Sequence, residues 1–152
     1  KEKRPKYIIC YNRGSKFLLN KYKDLADDLN VELELYTGLD DIDLLRIYQK
    51  SKVCLYPSNN EPLGRVILES MSCGTPVIAI KEGGPMEIID HGTTGYLSDR
   101  NQTTYANYIE KIINNKIKYD KMSKKCRETV MKKWSNLALS NHTIEIINKN
   151  TF

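Results

Sequence analysis

The run Pro76-Val77-Ile78-Ala79-Ile80 has no polar face. A strand whose side chains are apolar on both sides can be solvated on neither, so it belongs inside a covered sheet. Continuous runs of this kind favour parallel sheets, whose crossover helices supply the cover. The segments before it alternate as such a sheet requires. Tyr7–Tyr11, Val31–Tyr36 and Val53–Tyr56 read as strands. Leu18, Tyr22, Leu25 and Leu29 recur at helical spacing, as do Ile42, Leu45 and Tyr48 behind the capping pair Asp40-Asp41. The expected fold class is α/β: a Rossmann-like, doubly wound parallel sheet with helices on both faces. Beyond Leu97 the signal is helical only. Tyr105, Tyr108, Ile109, Ile112 and Ile113 form one stripe, and Met122, Cys126, Val130 and Trp134 another. A last helix is expected over Leu137–Ile147. No repeat or low-complexity linker divides the 152 residues, so a single domain over 1–152 is expected.

The most informative segment precedes that strand. Glu61-Pro62-Leu63-Gly64-Arg65-Val66-Ile67-Leu68-Glu69-Ser70 sets two carboxylates at either end of an apolar run. Pro62 at its start and Gly74 with Pro76 at its end predict a helix over Pro62–Cys73. Leu63, Val66, Ile67 and Met71 then share one face. The first turn of such a helix leaves amides unpaired at Leu63, Gly64 and Arg65, a natural position for a phosphate. In open α/β sheets ligands sit beyond the carboxyl ends of strands, where the turn Ser58–Gly64 falls. Eight helical residues rise ~12 Å, at ~1.5 Å each, which matches the span of an extended nucleotide diphosphosugar from sugar to ribose. Taken singly, Glu61 reads as an N-terminal cap and Glu69 as a surface acid paired with Arg65 at i, i+4.

Composition removes several function classes. Cys10, Cys54, Cys73 and Cys126 form no C-x-x-C pair, and the chain has only two histidines, which argues against a metal site. They read as buried free thiols, which fits a reducing, cytoplasmic setting. His91 reads as a surface turn residue. The net charge of +5 suits an anionic ligand or peripheral contact with an acidic membrane surface. The ten tyrosines are spread over core stripes and turns without a basic–aromatic run, so nucleic-acid binding is not expected.

The spacing Glu61-x7-Glu69 resembles the E-x7-E motif of the retaining group 1 (family 4) glycosyltransferases of the GT-B fold. The resemblance extends over Tyr56–Leu97. It includes Pro57-Ser58, Gly64, Gly74-x-Pro76-Val77-Ile78-Ala79, Gly83-Gly84, Glu87, Gly92 and Gly95. It departs at Leu63, where the family usually has Phe, and at Ser70, where Ala is usual. The resemblance implies the C-terminal, donor-binding half of a two-domain enzyme, with the N-terminal acceptor-binding domain as its partner. It implies that Glu61, the catalytic candidate, contacts hydroxyls of the transferred sugar, and that Glu69 holds the ribose. Leu63 and Gly64 would lie near the sugar and phosphates, and Gly83-Gly84 would form a second close-approach loop. Glu87 would cap the helix behind that loop. Thr37-Gly38-Leu39 would lie against the base, and Arg13 and Lys16 are the candidates for neutralising the diphosphate. The donor is a nucleotide diphosphosugar, and no further cofactor or metal is implied. A nucleotide-sugar epimerase or phosphorylase of the same fold, and a non-catalytic binding module, remain as alternatives.

Overall fold

The computed structural model describes residues 6–10, 16–30, 32–140 and 144, with side chains from residue 19 onward. The chain divides into two compact units, residues 1–44 and 45–152. In the first, β1 (Lys6–Cys10), α1 (Lys16–Asp28) and β2 (Glu32–Tyr36) form a β-α-β unit. Its strands pair in parallel from Lys6 opposite Glu32 to Cys10 opposite Tyr36. Helix α1 does not bury the expected stripe. Leu25 and Leu29 are exposed, and the inward line runs from Leu19 to Ala26, two turns apart.

Helix α2 (Asp41–Lys50) opens in the first unit and closes in the second. Its start is the expected one: the Asp40 carboxylate accepts the Asp43 amide at 2.8 Å. Ile42 and Leu45 face outward, whereas Leu44 and Ile47 are half-buried and Tyr48 is buried.

The second unit is built on β3 (Cys54–Tyr56), β4 (Val77–Ile80) and β5 (Gly95–Ser98), all parallel in that spatial order. Strand β4 lies between the other two and every one of its residues is buried, as its two apolar faces require. Strand β5 was not expected. Its four residues alternate too briefly to register, and pairing with β4 supplies what local propensity does not. Helix α3 (Arg65–Ser72) connects β3 to β4, and α4 (Pro85–Ile88) lies between β4 and β5. The two crossovers step the same way along the sheet, so the right-handed rule puts both helices on one face, where they touch.

Helix α3 ends as foreseen. Gly74 is left-handed, with φ of 79°. Its amide donates to the Met71 carbonyl at 3.0 Å, and the Thr75 amide donates to Ser70, also at 3.0 Å. This pair of bonds is a Schellman stop. The start differs from expectation. The helix begins at Arg65, not Pro62, with a left-handed Gly64 ahead of it. Leu63 falls outside the helix and is 54% exposed. Ile67 and Met71 from α3 carry the apolar face into the core against β4, Ile88 and Ile112.

The C-terminal part is helical, as expected: α5 (Gln102–Ile113), α6 (Lys116–Thr129), one π-helical turn over Val130–Trp134, and residues 136–140. Of the two stripes, Ile112, Met122, Cys126 and Val130 are buried and Trp134 half-buried, while Ile113 faces outward. Most of the final expected helix and His142 lie outside the described residues. Cys126 is the buried thiol: it donates to the Thr94 carbonyl, and burial pushes it up to about 12. Cys54 and Cys73 are only half-buried, and the side chain of Cys10 is outside the described set.

Ile67 is fully buried between α3 and the sheet. Ile67→Ala is expected to destabilise the second unit by about 2–5 kcal/mol. Urea unfolding should show a lower midpoint with an unchanged slope.

Candidate functional site

Because β3, β4 and β5 are parallel, the loops leaving their carboxyl ends emerge on one edge. The structure ties these loops together through carboxylates. Asn60, beyond β3, donates its amide at 2.8 Å to Glu82, beyond β4. Arg100, beyond β5, donates to both oxygens of Glu82 at 3.0 and 2.9 Å. The Asn60 amide, and after it Arg100, holds the Glu82 carboxyl below the ordinary range.

Glu61 lies in the first of these loops, beyond β3. One of its carboxylate oxygens, Oε1, accepts the amides of Leu63 at 3.1 Å and Gly64 at 2.7 Å. The other, Oε2, accepts the Tyr56 hydroxyl at 2.6 Å. These bonds explain where α3 begins. The carboxylate folds the Leu63 and Gly64 amides into a turn ahead of the helix, and the left-handed Gly64 (φ 86°) turns the chain into the helix behind it. Two of the three amides expected to await a phosphate are therefore already paired. The amides at the true helix start, Arg65 and Val66, carry no partner among the described residues. The Tyr56 hydroxyl, then the Gly64 and Leu63 amides, hold the Glu61 carboxyl below its ordinary value. Burial, and then the bond to Glu61, raises the Tyr56 hydroxyl.

Gly83 and Gly84 lie against this turn, but the group that approaches them is the chain's own backbone. A Cβ on Gly84 would fall 2.6 Å from the Leu63 carbonyl oxygen and 2.7 Å from that of Pro62. The Gly84 amide donates to the Glu61 carbonyl at 2.9 Å. Helix α4 has no side-chain cap, and Glu87 sits exposed in its first turn rather than capping it.

Glu69 lies one helical turn beyond Arg65. Its Oε1 meets Arg65 Nε at 2.9 Å, and its Oε2 accepts the Tyr48 hydroxyl at 3.3 Å. The Arg65 side chain is 84% exposed, so this ion pair contributes little to stability. The rise from Glu61 to Glu69 is not eight helical residues, since only Arg65–Glu69 is helical. Each glutamate is instead held by a tyrosine from an earlier element: Tyr56 from the end of β3, and Tyr48 from α2, whose carbonyl accepts the Thr75 hydroxyl at 2.6 Å. Neither tyrosine stood out in the sequence. The one available signal was a strand-ending Tyr five residues before a Glu.

Three candidates fall in the first unit, and His91 in the second. Gly38 belongs to the first unit, left-handed at φ 64° just beyond β2, with open space where a Cβ would be. Arg13 lies outside the described residues, as does the side chain of Lys16, whose backbone opens α1. His91 is exposed, but it also serves structure: its Nδ1 accepts the Leu97 amide at 3.1 Å, and its ring meets Tyr96 and Tyr108 edge-on.

Residues 4–129 match the family described as glycosyl transferases group 1. The chain is 30% identical over 122 residues to the alpha-1,3/1,6-mannosyltransferase ALG2 of Homo sapiens, covering 80% of this chain and 29% of that protein. It is 33% identical over 108 residues to an N-acetyl-alpha-D-glucosaminyl L-malate synthase of Bacillus anthracis, covering 70% and 28%. Among solved structures, sucrose-phosphate synthase of Thermosynechococcus elongatus superposes with a TM-score of 0.78 at 25% identity, covering 93% of this chain and 37% of that one. HepE of Anabaena, in complex with UDP-glucose, superposes at 0.77 and 24% identity, covering 93% and 40%, a likeness of fold. The chain spans about a fifth to a third of the length of the curated relatives it matches.

The Glu61 bonds give a pH test. Its folded midpoint lies below the ordinary 4.5, so its contribution to stability is complete above that value. That contribution is lost as pH falls through the lower folded midpoint. The difference in Tm between the wild type and Glu61→Gln is expected to hold steady at neutral pH and to shrink below about pH 4.5. A difference that stays constant in acid would contradict the bonding described.

Proposed function

The chain belongs to the group 1 glycosyltransferases, and from that premise we propose that it is the donor-binding, C-terminal half of a retaining hexosyltransferase. The full enzyme moves a hexose from a nucleotide diphosphosugar to a glycan, lipid or other acceptor. The observation that carries this reading is the pairing of Glu61 and Glu69 across one turn and one helical start, at the carboxyl end of a parallel sheet. The complex of Anabaena HepE with UDP-glucose, a protein of the same fold, supports a nucleotide-sugar donor.

In this reading the diphosphate lies at the start of α3, where the Arg65 and Val66 amides and the helix dipole favour negative charge. Glu69 accepts ribose hydroxyls and Glu61 a hydroxyl of the sugar. The Gly38 turn faces the base, and Arg13 and Lys16 add positive charge. Leu63, Gly83 and Gly84 shape the wall beside the sugar. Catalysis rests on stabilising the departing diphosphate with amides and cations placed before the reaction starts. The donor is the only small molecule this scheme needs, with no separate cofactor or metal. The acceptor is held by an N-terminal domain of the same enzyme, so the isolated segment binds donor weakly and turns nothing over. We place the enzyme in the cytoplasm with peripheral membrane contact. Among the described residues no helix is long and apolar enough to cross a membrane.

Titration calorimetry with UDP, GDP and ADP and their sugars tests the proposal. One nucleotide series is expected to bind, and Glu69→Ala to weaken it about tenfold, the cost of a charge-assisted hydrogen bond. Silence of all three series at millimolar concentration contradicts it. Product analysis on the full-length enzyme separates glycosyl transfer from epimerisation, phosphorolysis and a non-catalytic module.

A further inference from the structure

Tyr56 does more than pack. Its ring is half-buried against the core cluster, a role that any aromatic residue of that size fills. Its hydroxyl does something else: it donates to Glu61 Oε2 at 2.6 Å, the shortest of the three bonds that carboxylate receives. Tyr56 is the last residue of β3, fixed by pairing with Ala79 of β4, so the donor comes from the rigid sheet and not from the loop. The two amides saturate Oε1. A carboxylate has about four acceptor positions, two on each oxygen, so with the Tyr56 bond made, one position on Oε2 is left for a ligand.

We propose that Tyr56 is a positioning residue: its hydroxyl, together with the Leu63 and Gly64 amides, fixes the Glu61 carboxylate so that a single acceptor position faces one hydroxyl of the transferred sugar. This deepens the donor-site reading and rests on it. Without the Tyr56 bond the carboxylate keeps its two amides but can rotate about the axis they define. The hydroxyl it would meet is then no longer held at one angle. Hydrogen bonds, the Tyr56 hydroxyl first, lower the Glu61 carboxyl against the opposing effect of burial.

The test compares wild type with Tyr56→Phe, which keeps the ring and removes the hydroxyl, in two measurements on the same chain. The first is a carbon-13 NMR titration of the Glu61 carboxyl, which needs no ligand. Tyr56→Phe is expected to move its midpoint up toward the ordinary glutamate range, and an unmoved midpoint overturns the proposal. The second is calorimetry with a nucleotide diphosphosugar and with the same nucleoside diphosphate lacking the sugar. Tyr56→Phe is expected to weaken the sugar-bearing ligand about three- to tenfold while leaving the free diphosphate unchanged. A general loss of folding would weaken both ligands equally. An equal loss for both, or no loss for either, overturns the positioning role. If the wild type binds neither ligand, the donor-site reading itself fails and the sugar-positioning role fails with it. The first measurement still reports separately whether the Tyr56 bond exists.

Discussion

Everything at the candidate site depends on β4 being buried on both faces and paired in parallel on both edges. A strand without a polar side cannot be an edge or a surface strand, so β3 and β5 must flank it and helices must cover it. Parallel pairing then brings the chain out of all three strands on the same side. Asn60, Glu82 and Arg100 stand one loop beyond β3, β4 and β5, and their bonds join the three exits. Glu61 and Gly84 meet by the same logic, through a backbone bond between the first and second exits.

Within that frame the chain chooses between starting a helix at Pro62 and folding a carboxylate-bound turn ahead of it. At Glu61 the carboxylate wins. It draws in the Leu63 and Gly64 amides, Gly64 turns left-handed, and α3 starts three residues later than Pro62 invites. The charge of Glu61 is thereby fixed in place and its proton held off. The amides that remain open are those of Arg65 and Val66.

Much of this was legible in the sequence. The apolar runs of β3 and β4, the Asp40 cap of α2, the Gly74 stop of α3 and the stripe through Met122, Cys126 and Val130 all follow from local rules. They are borne out because local preference and burial agree at those positions. What was not legible needed the third dimension. Strand β5 is too short to signal itself and exists through its pairing with β4. The inward faces of α1 and α2 are set by what they pack on, so Ala26 is buried where Leu25 was expected. Gly83 and Gly84 look like a loop kept open for a ligand, yet Gly84 leaves room for the carbonyls of Pro62 and Leu63. Tyr48 and Tyr56 are ordinary core tyrosines in a linear reading. Only their hydroxyls, placed by tertiary contacts 21 and 5 residues away, connect them to the two acids.

The central claim is that Glu61 and Glu69 grip the two ends of one nucleotide diphosphosugar. A crystal structure with such a donor bound tests it most directly. The account predicts density with a sugar hydroxyl on Glu61 Oε2, the diphosphate at the amides of Arg65 and Val66, and ribose hydroxyls on Glu69. A donor bound elsewhere on the chain, or one that touches neither carboxylate, would contradict it.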